Sequence, residues 1–245
     1  MKISVWLIVW LVAFASACLN AQGPAWWSQR GVLNGDATPD DYAAVNQGQV
    51  RNIAKQGYEE MKAKLPDGAG ATLDALWATP AGSTDDYRAI NLGQLKNLAK
   101  PFYDRLAIFG YTGQPLAAGQ TYPWSNSATA ADDYALVNIG QVKNLFSFDL
   151  SAFSASFDSD GNGLPDWWEL KYFGHIGNNA AANPSGDGMS NLYKYSMSLN
   201  PLVNEGSNDK DADGISNQED ARPNNNTIGR LTVTIAAPLD GSVFP

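Results

Sequence analysis

Asp40-Asp41-Tyr42-Ala43-Ala44-Val45-Asn46-Gln47-Gly48-Gln49-Val50-Arg51-Asn52 returns twice without gaps. The second copy is Asp85-Asp86-Tyr87-Arg88-Ala89-Ile90-Asn91-Leu92-Gly93-Gln94-Leu95-Lys96-Asn97, and the third runs from Asp132-Asp133-Tyr134 to Gln141-Val142-Lys143-Asn144. The steps from tyrosine to tyrosine are 45 and 47 residues, and Trp27, Trp77 and Trp124 precede the copies. A period of this size means one supersecondary unit used three times.

The repeated residues read as helix punctuation. Thr38 to Asp41, Ser83 to Asp86 and Thr129 to Asp132 each fit a Ser/Thr-x-x-Asp helix start, and acids in a first turn suit the helix dipole. Asn46 to Gln49, Asn91 to Gln94 and Asn138 to Gln141 give a second start: Asn caps, and Gln reaches back to the cap N–H. Gly48, Gly93 and Gly140 fall where the chain is still turning. Each unit is therefore expected to be a short helix, a turn and a longer helix. Val50, Ile53, Ala54, Met61 and Leu65 share one face of the first long helix; Leu95, Leu98, Ala99, Phe102 and Leu106 share one face of the second. Pro101 is expected to kink or split that second helix. Asp-Asp-Tyr with Asn and Gln could also be a thrice-repeated ligand site, but capping and core packing explain these residues unaided. The repeat resembles N-terminal repeats of large bacterial surface proteins, a resemblance that carries no activity with it.

Composition bounds what surrounds this region. The chain has 245 residues, 44% hydrophobic and 17% charged, enough for one or two domains with a sizeable core. Its 16 Lys+Arg and 25 Asp+Glu leave a net charge of −9. That opposes non-specific nucleic-acid binding, which needs a basic face, and permits cation binding. One cysteine (Cys18) and one histidine (His175) exclude an intrachain disulfide and disfavour Cys/His zinc or nucleophile chemistry. Lys2, the apolar run Ile3 to Phe14 and the small residues Ala15, Ser16, Ala17 and Ala21 read as a signal peptide over 1–21, too short for a stable membrane span. Cleavage after Ala21 discards Cys18. Cleavage after Ala17 would leave Cys18 first and available for a lipid anchor. The mature chain, with no membrane span, is expected to be secreted or at the cell surface.

The acids concentrate near the other end. Between Asp158 and Asp220 there are eleven acids against Lys171, Lys194 and Lys210. Such clustering repels itself unless something neutralises it. The segment Asp158-Ser159-Asp160-Gly161-Asn162-Gly163-Leu164-Pro165-Asp166-Trp167-Trp168-Glu169 fits the twelve-residue EF-hand calcium loop at every ligand position. Asp158, Asp160 and Asn162 offer side-chain oxygens and Leu164 its carbonyl. Asp166 serves directly or through water, and Glu169 closes the site. Pro165 removes an N–H that a paired EF-hand would use, so a conventional paired domain is not expected. In Asp209 to Asp220, the candidate ligands are Asp209, Asp211, Asp213, the Ile215 carbonyl, Asn217 and Asp220. Between them, Asn183 to Lys194 keeps the frame, but its only acid is Asp187 and its last position is Lys194. It reads as a degraded loop that binds weakly or shares ligands with a neighbour. The loops begin 25 and 26 residues apart.

This region resembles thrombospondin type 3 repeats at Asp209, Asp211, Asp213, Gly214 and Asp220, with Asn217 replacing one Asp, and it resembles dockerin type I loops. The resemblance covers about a quarter of the chain and implies that calcium orders a segment with little apolar core. Trp167 and Trp168 read as the core face of the exiting helix rather than a sugar platform, and His175 as a surface residue. Pro223 to Asn226 reads as a linker. Leu231-Thr232-Val233-Thr234-Ile235 alternates like a strand, and Ala237 to Phe244 resembles the opening of a bacterial immunoglobulin-like domain.

The expected fold is mainly α. A threefold helical repeat region (22–153) leads to EF-hand-like calcium loops with short helices (154–222), then to a linker and the first strand of a truncated immunoglobulin-like β domain (223–245). The expected function is that of a non-enzymatic, calcium-binding, secreted or surface protein whose acidic stalk is ordered by Ca2+, with another surface protein or a glycan as partner. One alternative is a dockerin-like docking module. The other is a carbohydrate-active enzyme or its non-catalytic part, which would need a carboxylate pair.

Overall fold

The computed structural model describes residues 23–32, 40–78, 85–125 and 132–227. The expected signal peptide, Cys18 and the strand at 231–235 lie outside these residues, as do Thr38, Ser83 and Thr129 of the first helix-start signals. The described chain is mainly helical: α1 (Ala25–Gln29), α2 (Gln47–Lys64), α3 (Ala71–Ala78), α4 (Leu92–Ala107), α5 (Ile139–Leu145), a 3-10 turn (Leu150–Ala152), α6 (Asp166–Phe173) and α7 (Asn191–Ser196). No helix among these residues is long and apolar enough to cross a membrane.

The three repeats close on one another in a ring. The first turn of a helix leaves its leading N–H groups without intrahelical partners. In α2, Gln47 and Gly48 donate to the carbonyls of Arg88 and Asp86 in the second repeat, both at 2.9 Å. In α4, Leu92 and Gly93 donate to Ala135 and Asp133 in the third, again at 2.9 Å. In α5, Ile139 and Gly140 return to Ala43 and Asp41 in the first, at 3.0 and 2.8 Å. Isolated antiparallel bridges at Ala44–Asn138, Asn46–Ala89 and Asn91–Leu136 mark the three seams. The next N–H, on Gln49, Gln94 or Gln141, is taken by the capping Asn, and the Gln side chain accepts from the cap N–H in return. Every early donor of these three helices is thus assigned.

The repeat motif follows from that ring. A Cβ on Gly48 would lie 2.9 Å from the Asp86 Cβ; on Gly93 or Gly140 it would lie 3.1 Å from Asp133 or Asp41. Only glycine lets the seams approach so closely. The same aspartates pair with Arg51, Lys96 and Lys143, the last two at 2.6 Å. The preceding Asp40, Asp85 and Asp132 each accept the N–H of the tyrosine two residues on, at 3.1 Å.

That last contact corrects the expected short helix. Residues after Asp40, Asp85 and Asp132 form a turn and then an extended bridge, because the aspartate closes on the tyrosine N–H instead of capping a helix. Tyr42, Tyr87 and Tyr134 are 91%, 89% and 89% exposed, so they do not pack in the core. Two further expectations change. Helix α4 is not split at Pro101, since Leu95, Ala99, Phe102 and Leu106 on both sides of it are fully buried in one core. That burial outweighs the roughly 3 kcal/mol a mid-helix proline costs. The third unit has no long helix: α5 stops at Leu145, after which Phe146, Phe148 and Leu150 bury their side chains on the way into the 3-10 turn.

The predicted faces of α2 and α4 meet in this core. Phe102 contacts Phe146 edge-on at 5.3 Å, and Trp26 of α1 stacks on Phe148 at 5.5 Å. The indole N–H groups of Trp26 and Trp27 donate to the carbonyls of Phe148 and Phe146, both at 2.9 Å, so α1 is fixed to the far end of the repeat region. Ser154 N–H reaches the Phe109 carbonyl and Trp167 packs against the ring's core, joining the ring to the acidic segment, within which the Trp167 indole donates to the Ala155 carbonyl at 2.7 Å.

Candidate metal centre

The three loops share one backbone frame. The glycine at loop position six has positive φ in each: Gly163 at 92°, Gly188 at 82° and Gly214 at 94°. The N–H at position nine returns to the carbonyl just before the loop, from Asp166 to Phe157, Asn191 to Ala182 and Asn217 to Asn208. The side chain at position five accepts the N–H at position seven, from Leu164 to Asn162 at 2.7 Å, Met189 to Asp187 at 3.1 Å and Ile215 to Asp213 at 2.9 Å. The residue at position twelve is buried in all three: Glu169, Lys194 and Asp220. A frame of local Asx turns therefore points several oxygens inward from a short segment.

In the first loop, Asp158 accepts N–H groups from Gly161 and Gly163, both at 2.8 Å. Burial pushes the Asp158 carboxyl up, but donation from the N–H groups of Gly163, Gly161 and Asn162 helps to outweigh it and the group is held below its ordinary value. Burial and the neighbouring charges of Glu169 and Asp158 push Asp160 up, against a hydrogen bond from Asn162. The Asn162 amide joins Asp160 and Glu169, donating to each at 3.1 Å. Glu169 is fully buried. Its Oε1 accepts from the Asn178 N–H at 2.7 Å, while its Oε2 has no hydrogen-bond partner. Asp166 turns Oδ1 to the Ser159 N–H at 2.9 Å, and Leu164, whose carbonyl was the expected ligand, is fully buried.

In the last loop, carboxylate oxygens of Asp209, Asp211 and Asp213 lie within 4.8 Å of one another and can hold a metal ion. Asp209 accepts from Ala212 at 2.7 Å and Gly214 at 2.8 Å. One oxygen each of Asp211, Asp213 and Asp220 is buried without a hydrogen-bond partner. Asp213 and Asp220 are only 4% and 2% exposed. An unpaired buried carboxylate oxygen is costly, and several in one loop call for a cation. Asn217 accepts the Lys210 N–H at 3.1 Å, and Ile215 stands at position seven, half-buried. The donor set is all oxygen, the chemistry that suits a hard divalent ion.

The middle loop departs from the expected reading. Asp187 was expected as a metal ligand, but its Oδ2 lies 2.6 Å from the ammonium of Lys194. Burial raises the Asp187 carboxyl, yet Lys194 and the N–H groups of Met189 and Glu205 together hold it below its usual value. Asn191 Oδ1 is buried and unpaired for a local reason: the N–H that fills this role in the flanking loops belongs to position two, here Pro184.

Residues that sequence reasoning passed over are Asn178, which holds Glu169 from outside the loop, and Tyr193, whose hydroxyl donates to the Asp220 carbonyl at 2.6 Å. Neither belongs to a loop position with a ligand role, so spacing gave no signal for them. Trp168 packs against Tyr172, Phe173 and Tyr195 at 5.2 to 5.8 Å, as the core face of α6, and His175 is exposed, both as expected. Compared with protein-family models, curated proteins and solved structures, the chain matches none.

Proposed function

We propose that this chain is a secreted or cell-surface, calcium-binding modular protein, in which Ca2+ orders the acidic segment 154–222 and stiffens its junction with the helical ring. The observation that carries the reading is the set of buried, unpartnered carboxylate oxygens on Asp211, Asp213 and Asp220, beside the Asp209–Asp211–Asp213 cluster. Glu169 Oε2 repeats the pattern in the first loop. Asp158, Asp160, Asn162, the Leu164 carbonyl, Asp166 and Glu169 are the candidate ligands of one ion. Asp209, Asp211, Asp213, the Ile215 carbonyl, Asn217 and Asp220 are those of the other. When bound, the ion supplies positive charge to groups that otherwise repel, and its binding energy becomes ordering energy. The chain's own part is to hold the oxygens inward by Asx turns and to fix Glu169 through Asn178.

No step of this role needs catalysis, and we read the protein as non-enzymatic. A dockerin-like role would use two equivalent loop–helix units. Here the first loop leads into the eight-residue α6, the middle loop carries Lys194, and the last ends in a turn. The test is a calorimetric calcium titration of the full chain, followed in parallel by tryptophan fluorescence, with magnesium as control and Glu169→Gln as comparator. Saturable calcium binding, weakened in the variant, is expected in the range of extracellular modules, about 10⁻⁴ to 10⁻³ M. No heat and no fluorescence change at millimolar calcium would reject the proposal.

A further inference from the structure

The loop between the two acidic ones has the same frame and a different centre. Lys194, at position twelve, is fully buried. Its ammonium reaches four oxygens: Asp187 Oδ2, Ser185 Oγ and the Val203 carbonyl at 2.6 Å each, and the Asn200 carbonyl at 3.2 Å. Two of these come from loop positions three and five, where the flanking loops carry metal-ligand candidates. The other two come from the following turn. A buried ammonium is tolerated only when paired and hydrogen-bonded. Here all its donors have acceptors, and its one charge matches the one acid of the loop.

We propose that the middle loop is a cation site whose cation is built in: the Lys194 ammonium permanently does there what a metal ion does in the flanking loops. Three observations converge on this. Asp187 has no orphaned oxygen, whereas its counterpart Asp213 has one. The glutamate or aspartate that closes the flanking loops is replaced by the group that needs closing around. Finally, the segment after α7 is drawn onto the loop by the same centre. Its Asn200 and Val203 carbonyls face the ammonium, and the Glu205 N–H donates to Asp187 Oδ2 at 3.1 Å. Glu205 in turn accepts the Asn200 N–H at 2.9 Å and gives its carbonyl to Asn217 of the last loop, also at 2.9 Å. The lysine therefore holds a metal-independent clamp between two metal-dependent loops. It excludes a divalent ion from the middle loop by occupying its place with like charge. The number of ions bound rests on the calcium reading of the flanking loops; the role of the lysine does not.

The test combines hydrogen exchange of the full chain in chelator with a calcium count by equilibrium dialysis. The amides of Asn191 and Lys194, bonded to the Ala182 and Ser190 carbonyls, should be protected without calcium, while those of 158–169 and 209–220 become protected only when it is added. Lys194→Met should lose the protection of 183–194, and calcium should not restore it. Lys194→Glu should lose it in chelator and regain it at millimolar calcium, with one further ion bound. Unprotected amides at 183–194 in chelator, unchanged protection in Lys194→Met, or no calcium recovery in Lys194→Glu would overturn the proposal. Protection of 183–194 with no calcium response in either flanking loop would reject calcium binding and leave the lysine's role standing.

Discussion

The repeat ring and the acidic loops face the same problem and solve it differently. Both place many backbone donors and carboxylates in tight turns. In the ring these groups meet partners within the repeats: the seam aspartates pair with Arg51, Lys96 and Lys143, leading helix donors find carbonyls across the seam, and Asp40, Asp85 and Asp132 close on the tyrosines of their own repeats. In the flanking loops, Glu169, Asp211, Asp213 and Asp220 keep oxygens that the chain leaves unpartnered. The ring supplies the partners at its own seams, with Trp77 Nε1 and Arg105 Nε as its buried unpartnered side-chain atoms among the described residues, and on the function proposed above the flanking loops take theirs from a cation. A buried polar group stabilises a region only when it is satisfied, which is why the two regions should respond differently to a cation.

The comparison breaks first at the cation. At free calcium a hundredfold above the dissociation constant, each ion adds about 2.7 kcal/mol to the unit that binds it. Calorimetric melting should therefore show one transition that moves with calcium and another, from the ring, that does not. A single transition moving as a whole would mean that the two regions fold as one unit. The ring should in turn break at its seams. Gly48→Val places side-chain atoms against Asp86 and should cost about 1–3 kcal/mol of ring stability in urea unfolding. The calcium titration should stay unchanged. Asn138→Ala removes one reciprocal cap and should cost about 1 kcal/mol, read from the same unfolding curves. Lys143→Ala removes an exposed pair with Asp41 and should cost less than about 1 kcal/mol, a difference that fades as salt is raised.

Much of this was legible in the residues and some was not. The capping boxes at Asn46, Asn91 and Asn138 were readable because capping is local: the partners lie three residues apart. The faces of α2 and α4 were readable because burial follows helical spacing. Ring closure was hidden, since Gly140 meets Asp41 about a hundred residues away and no periodicity reports such a distance. Spacing could not tell the Asx turn at Asp40 from a helix cap either, because both use the same short side chain on nearby N–H groups. Position twelve of the middle loop named Lys194 at once. What it leaves unsaid is that the Asn200 and Val203 carbonyls come round to meet the ammonium. Asn178 was invisible for the same reason, being a ligand holder placed by a turn beyond α6.

The most direct test of the central claim uses Trp167 and Trp168, which adjoin the closing Glu169. Terbium bound in place of calcium should emit when these tryptophans are excited in the full chain. The account predicts saturable sensitised emission, displaced by calcium but not by equal magnesium, and lost in Glu169→Gln. Absence of sensitised emission at millimolar terbium, or emission untouched by Glu169→Gln, would contradict it and make the first acidic loop an ordinary turn.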